Sequence, residues 1–174
     1  MEEPRKPEEP LDAEGLESMV EEAALTKVSP QRAFRFYDRI RTRIADYLRQ
    51  KSGILGKAEG FLFLVPDVFI LLWRLANDSR VNAKNKILLG TGIAYYLFPL
   101  DIMPEIFMGP IGFLDDLVFG VYILNKILLD TDEVILREHW SGGEDVLGMI
   151  RRVLNSADTL VASDILKQLK KLIR

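Results

Sequence analysis

The run Ala94-Tyr-Tyr-Leu-Phe-Pro-Leu-Asp-Ile-Met-Pro-Glu-Ile-Phe-Met-Gly-Pro-Ile-Gly-Phe-Leu-Asp-Asp-Leu-Val118 decides how this chain is read. It is the most apolar part of the sequence, yet it carries four carboxylates and three prolines. Between Lys86 and Lys126 there is no Lys, Arg or His, so Asp101, Glu105, Asp115 and Asp116 are the only charges in that interval. Acids set in apolar sequence need a backbone cap, a remote partner, a metal or water, because an unpaired buried charge is costly. Pro99 disfavours helix at the residue before it, so a helix arriving through Ile87 is expected to end at Phe98. A Pro/Gly-rich connection follows. Phe113 to about Leu129 then reads as the next helix, with Asp115 and Asp116 in its first turn, where the helix dipole favours carboxylates. Two apolar helices joined by a Pro/Gly/Asp-rich corner form a helical hairpin.

Outward from that hairpin the helical period persists. Residues 61–77 form an apolar run in which Pro66 sets the start of regular helix and Asp67 falls in the first turn. Asn77-Asp78-Ser79-Arg80 is a polar turn, and helix resumes from Asn82. Ser29-Pro30 is a helix start, with Ser as N-cap and Pro at the first helical position. The helix from Pro30 to about Lys51 places Ala33, Tyr37, Ile40, Ile44 and Leu48 on one face. Gly90 and Ala94, four apart, permit close helix approach. On the far side, Thr131–Trp140, Glu144 to about Asn155 and Ser163 to about Lys171 read as further helices, with a turn at Ser141–Gly143. No alternating strand pattern or internal repeat occurs. The expectation is an all-α bundle of about six or seven helices. Its expected parts are an acidic, largely disordered segment 1–28, a basic amphipathic helix 29–55, a core module 56–130 and C-terminal helices 131–174.

Composition narrows the function classes. At 174 residues and 48% apolar content the chain can bury a core. With no Cys, thiolate nucleophiles, disulfides and Cys-based zinc sites are excluded. The lone histidine, His139, cannot build a multi-His metal site, and His139-Trp140 reads as a packing and capping pair. Charge is laid out in blocks: residues 1–28 hold nine acids against three bases, and residues 30–51 hold seven bases against two acids. The opening Met-Glu-Glu-Pro-Arg-Lys-Pro-Glu-Glu-Pro has no apolar h-region, so a cytoplasmic N-terminus is expected.

At the central run the residues meet a family. Tyr-Leu-Phe-Pro-Leu-Asp-Ile-Met-Pro-Glu, followed by Gly-Phe-Leu-Asp-Asp-Leu, resembles the signature of the bacterial YkvA-like family, domain of unknown function 1232. Pro99, Asp101, Pro104, Gly112, Asp115 and Asp116 fall on the matching positions. Glu105 stands where the family often has Asp, and Phe98 where it often has Ser. The resemblance covers roughly residues 61–125. It implies a small helical module usually described as membrane-associated, with no known activity.

Three readings of the acids compete. In the first, Asp101, Glu105, Asp115 and Asp116 cap backbone groups and build a tight corner. In the second they are hard oxygen ligands for a divalent cation. In the third they pair with distant cations such as Arg74 or Arg80. Capping suits each position best, and carboxylate pairs alone do not specify an enzyme. The arginines Arg32, Arg35, Arg39, Arg41 and Arg43 suit either a solvated face or attraction to anionic lipid. Nucleic acid is disfavoured, because the chain is acidic overall and no aromatic stacking platform accompanies the arginines. Ile87–Leu100 is fourteen charge-free residues, short of the ~20 that cross a bilayer. The expectation is a non-enzymatic, membrane-associated protein on the cytoplasmic side, needing no cofactor. A soluble scaffold binding a protein partner or a second copy is the alternative.

Overall fold

The computed structural model describes residues 28–51, 58–102 and 113–160. Expectations that rest on residues 1–27, on Pro104, Glu105 and Gly112, or on the helix at Ser163–Lys171 lie outside the described residues. Seven helices occupy the described residues: α1 (Pro30–Lys51), α2 (Ala58–Leu62), α3 (Leu64–Ala76), α4 (Ala83–Ile102), α5 (Phe113–Ile127), α6 (Glu133–His139) and α7 (Val146–Leu160). No strand occurs among them. The protein is an all-α bundle.

The helix starts follow from local chemistry. Ser29 Oγ accepts the Arg32 amide at 3.3 Å, and Asn82 Oδ1 accepts the Asn85 amide at 2.8 Å. Asp132 Oδ1 accepts the Val134 amide at 3.0 Å, and Asp145 Oδ2 accepts the Gly148 amide at 3.1 Å. Each satisfies one of the orphan donors that a helix start exposes. Pro66 lies in the first turn of α3, where its missing N–H costs nothing. That missing donor also leaves the Leu62 carbonyl without its i+4 partner, so α2 and α3 separate at Phe63.

α3 is the centre of the bundle. From Leu64 to Leu75 nearly every side chain is buried, the mark of a helix surrounded on all sides. It packs against α1, α4, α5 and α6, while α5 also packs against α4 and α7. One continuous core runs from Ala33 in α1 to Ala157 in α7. Two glycines set how closely α3, α4 and α5 approach. A Cβ on Gly92 would lie 2.7 Å from Ile123 Cδ1 and 3.1 Å from Leu72 Cδ1. A Cβ on Gly120 would lie 2.9 Å from Val68 Cγ1, 3.2 Å from the Tyr96 hydroxyl and 3.3 Å from Leu72 Cδ1.

Two expectations are corrected. α4 does not stop at Phe98 but runs through Pro99 to Ile102. Proline there removes one backbone hydrogen bond, to the Tyr95 carbonyl, and only three residues of helix follow it. On α1 the buried side chains are Ala33, Phe36, Ile40 and Ile44, with Tyr37 and Leu48 half-buried at the edge. Phe36 belongs to that face because its ring packs on Phe69, with centroids 4.4 Å apart.

α4 is 20 residues long. Lys84 and Lys86 occupy its first turn and Asp101 its last. Among the described residues no helix is long and apolar enough to cross a membrane.

Candidate functional site

The carboxylate corner divides in the structure. The helical backbone reaches past Asp101, while Glu105 lies outside the described residues. Asp115 and Asp116 sit in the first turn of α5, as expected. Asp116 points inward and is only 5% exposed. It is one helical turn before Gly120, which faces α3 and α4, and two before Ile123, which faces α4. Burial, and then the charge of Asp115, push its carboxyl well above the usual carboxylate range. A capping role does not account for that placement; Asp116 is part of the core between the helices.

Beside it lies Tyr96, fully buried, whose hydroxyl has no hydrogen-bond partner among the described residues. Burial, and then the Asp116 charge, push this phenol well above its usual range. Tyr96 packs on Phe69 with centroids 5.5 Å apart. The glycine at 120 leaves room for its hydroxyl against the α5 backbone. Among the described residues no group of three His, Cys, Asp or Glu side chains is arranged to hold a metal ion.

Arg74 and Arg80 bond to residues of the α3–α4 turn and of α6 and its C-terminal turn, while the Asp101 side chain and Glu105 lie outside the described residues. The Asp78 carboxylate is where Arg80 meets α6. Its Oδ1 accepts the Arg80 backbone N–H at 2.8 Å and Nε at 3.1 Å. Its Oδ2 accepts Arg80 Nη2 at 2.8 Å and contacts His139 Nε2 at 2.6 Å. The Arg80 bonds, then that of His139, hold the Asp78 carboxyl well below the usual range. Arg80 also bridges to Glu138 at 2.6 Å. Arg74 Nη1 donates to the His139 carbonyl at 2.9 Å and to Ser141 Oγ. Trp140 caps α6 through its backbone N–H and donates its indole N–H to the Glu144 carbonyl at 2.7 Å. This network fastens the α3–α4 turn to the end of α6. The sequence offered Asp78 only as a turn residue; the Asp-x-Arg spacing was the one local hint of its role.

The solvent-facing group is the basic helix. Arg32, Arg35, Arg39 and Arg43 are all exposed and follow one another at intervals of three, four and four residues. That spacing aligns them in a row about 16 Å long on one side of α1. Arg41 does not join them. It is two residues from Arg39 and from Arg43, hence about 160° round the helix from each. Its Nη1 donates to the Tyr37 hydroxyl at 3.0 Å, and that hydroxyl reaches Asp67 Oδ1 at 3.5 Å. Burial pushes the Asp67 carboxyl up, against the lowering effect of Arg41, Tyr37 and Arg74. The apolar side of α1 is consumed by packing on α3, so the row faces outward from a helix that is already docked.

Comparison with known proteins places the family-like part of the chain. Residues 85–120 match the model of a protein family of unknown function, DUF1232. The match spans α4, the corner and the first half of α5, a narrower stretch than the 61–125 expected from the motif. An uncharacterized protein, ORF9 of Methanothermobacter thermautotrophicus, is 26% identical over 77 residues, or 44% of this chain. The chain matches about half (53%) of that relative's length. No solved structure matches.

Proposed function

We propose that this protein is a peripheral, non-enzymatic helical module that docks on an anionic membrane surface at the cytoplasmic side. The supporting observation is the exposed row formed by Arg32, Arg35, Arg39 and Arg43 on a helix whose adjoining apolar face is already packed. A guanidinium near an anionic surface contributes about 1 kcal/mol, so four contribute about 4 kcal/mol, or about a thousandfold in affinity. The attraction is electrostatic and requires no helix to leave the core. It therefore weakens steeply with salt, because the screening length is about 10 Å at 0.1 M. The membrane association implied by the family resemblance agrees with this reading. The rival scaffold reading has less support: exposed apolar side chains such as Phe63, Leu129 and Val134 belong to different elements, and single exposed apolar residues are ordinary.

Co-sedimentation with vesicles tests the proposal. The protein is expected to bind phosphatidylserine-containing vesicles at low salt, to be released at high salt, and to ignore pure phosphatidylcholine. Replacing Arg32, Arg35, Arg39 and Arg43 together by Gln should weaken binding about a thousandfold. Unchanged binding by that variant, or equal binding to neutral vesicles, would overturn the proposal. Retention on duplex DNA without vesicle binding would assign the row to nucleic acid instead.

A further inference from the structure

We propose that α4 pairs antiparallel with α4 of a second copy of this chain, through the side that it turns away from the core. The inference is independent of the docking reading of α1. The inward side of α4 packs on α3 and α5, where Gly92, Ile93, Tyr96 and Leu97 are buried. The outward side is open among the described residues: Ile87 is 50% exposed, and Thr91 and Ala94 are half-buried. Its chemistry is not that of a solvated face. No charge occurs from Ile87 to Leu100. The Thr91 hydroxyl donates to the Ile87 carbonyl of its own helix at 2.9 Å, so it too is satisfied without water. A helix that lacks a polar face ordinarily has neighbours on every side.

Spacing and charge name the occupant. Lys84, Ile87, Thr91 and Ala94 follow one another at steps of three, four and three residues, the seam of a paired helix. The same steps continue along the helical backbone to positions 98 and 101, which the sequence fills with Phe and Asp. This seam complements its own reverse. About a two-fold axis level with the middle of α4, Thr91 stands opposite Ala94, position 87 opposite 98, and Lys84 opposite Asp101. Small residues meet at the centre, large apolar ones further out, and opposite charges at both ends. Parallel pairing would instead set lysine beside lysine and aspartate beside aspartate. Antiparallel pairing also suits the dipoles, since Lys84 at the N-terminus of its own helix comes to the C-terminus of the other. The acids of the α5–α6 turn do not disturb this side. That turn is held at the inward side of α4, where the buried Asn85 donates to Thr131 Oγ1 at 3.0 Å. An anionic surface would attract the Lys84 end of the seam and repel the Asp101 end, so a second copy matches it better than lipid. One helix pair covers less than the roughly 800 Å² per partner of a standard complex, so a Kd on the order of 10 μM is expected.

Sedimentation equilibrium of the full-length chain, over about tenfold either side of that Kd, reads the association. The parent is expected to pass from monomer to dimer. Lys84→Glu is expected to weaken the dimer about tenfold, because two repulsions replace two ion pairs, and adding Asp101→Lys is expected to restore it. Ala94→Glu sets two carboxylates near the axis and is expected to weaken the dimer at least about tenfold, with an unchanged far-UV circular dichroism spectrum. Should that variant lose helix, Ile87→Ser at the half-exposed position is read in its place, with about the same loss. Direction is read by cross-linking in this chain without cysteine. Thr91→Cys and Ala94→Cys chains, mixed and oxidised, are expected to form the mixed disulfide. Ile87→Cys, about 16 Å along the axis from its counterpart, is expected not to cross-link with itself. A parent that stays monomeric, or a dimer indifferent to Lys84→Glu and Ala94→Glu, would overturn the inference. Self-cross-linking of Ile87→Cys in place of the mixed disulfide, or no restoration by Asp101→Lys, would overturn the antiparallel pairing. A monomeric parent whose vesicle binding is lost with Ala94→Glu would assign this side to lipid instead.

Discussion

Gly120→Ala adds one methyl at the point where α3, α4 and α5 meet. The new Cβ would lie 2.9 Å from Val68 Cγ1, 3.2 Å from the Tyr96 hydroxyl and 3.3 Å from Leu72 Cδ1. Val68 is β-branched and stiff, and Tyr96 is fully buried, so neither can step aside cheaply. Overpacking of this kind costs about 1–3 kcal/mol. Helix propensity offsets about 1 kcal/mol of that, since Ala outranks Gly inside a helix. The net expectation is a loss of up to about 2 kcal/mol, or up to about 8 °C in Tm for a chain of this size. Gly148→Ala is the internal control, because its Cβ would meet nothing nearer than Asp145 Oδ2 at 3.8 Å. That variant should be neutral or stabilised by up to about 1 kcal/mol. Gly92→Ala should fall between the two, since its nearest neighbour is the end of the Ile123 side chain. Urea denaturation of the three variants gives the comparison. Val68→Ala combined with Gly120→Ala should show positive coupling, because the clash partner is gone. Equal stabilisation by the Gly120 and Gly148 changes would refute the close approach of the three helices.

Two further outcomes follow from the buried acids. Asp116, raised above its ordinary 3.8 by burial, keeps a proton in the folded chain at pH values where the unfolded chain releases it. Its contribution therefore makes stability fall as pH rises from the ordinary value upward, by up to about 1.4 kcal/mol per pH unit. Asp116→Asn keeps the shape of the protonated acid, so it should remove that slope and gain on the parent as pH rises; parallel pH–stability curves would contradict this. Asp78, held low by Arg80 and His139, contributes stability that is present above 3.8 and is lost as pH falls through its depressed folded value. Asp78→Ala should cost about 2 kcal/mol at neutral pH, with the deficit shrinking in strong acid, as urea titrations at several pH values would show.

The helical class was legible because apolar residues recur at the helical period and Ser29 before Pro30 announces its own capping chemistry, whereas the caps at Asn82 and Asp132 emerge only in the structure. Pro99 misled because its effect is local, one bond and one steric clash, and flanking packing on α3 and α5 outweighs it. Asp116 misled in the opposite way. A first-turn acid ordinarily caps, and only knowledge of what faces Gly120 and Ile123 shows that its side of α5 is inward. The separation of Arg41 from the arginine row could have been found by counting angles along α1, but its tie to Tyr37 and Asp67 depends on the packing of α3. The partners of Asp78 and Arg80 on α6 are 61 and 58 residues away, respectively, and no single sequence displays such pairings.

The proposed docking surface rests on geometry rather than on the number of arginines, and two single substitutions separate the two. Arg39 stands within the row, whereas Arg41 is turned away from it and bonded to Tyr37. Equilibrium binding to phosphatidylserine vesicles at low salt should fall about fivefold for Arg39→Gln, the equivalent of about 1 kcal/mol. Arg41→Gln should stay within about twofold of the parent, since its guanidinium does not face the surface that the row faces. Equal losses for the two variants would contradict docking through the row and reduce the basic helix to undirected charge.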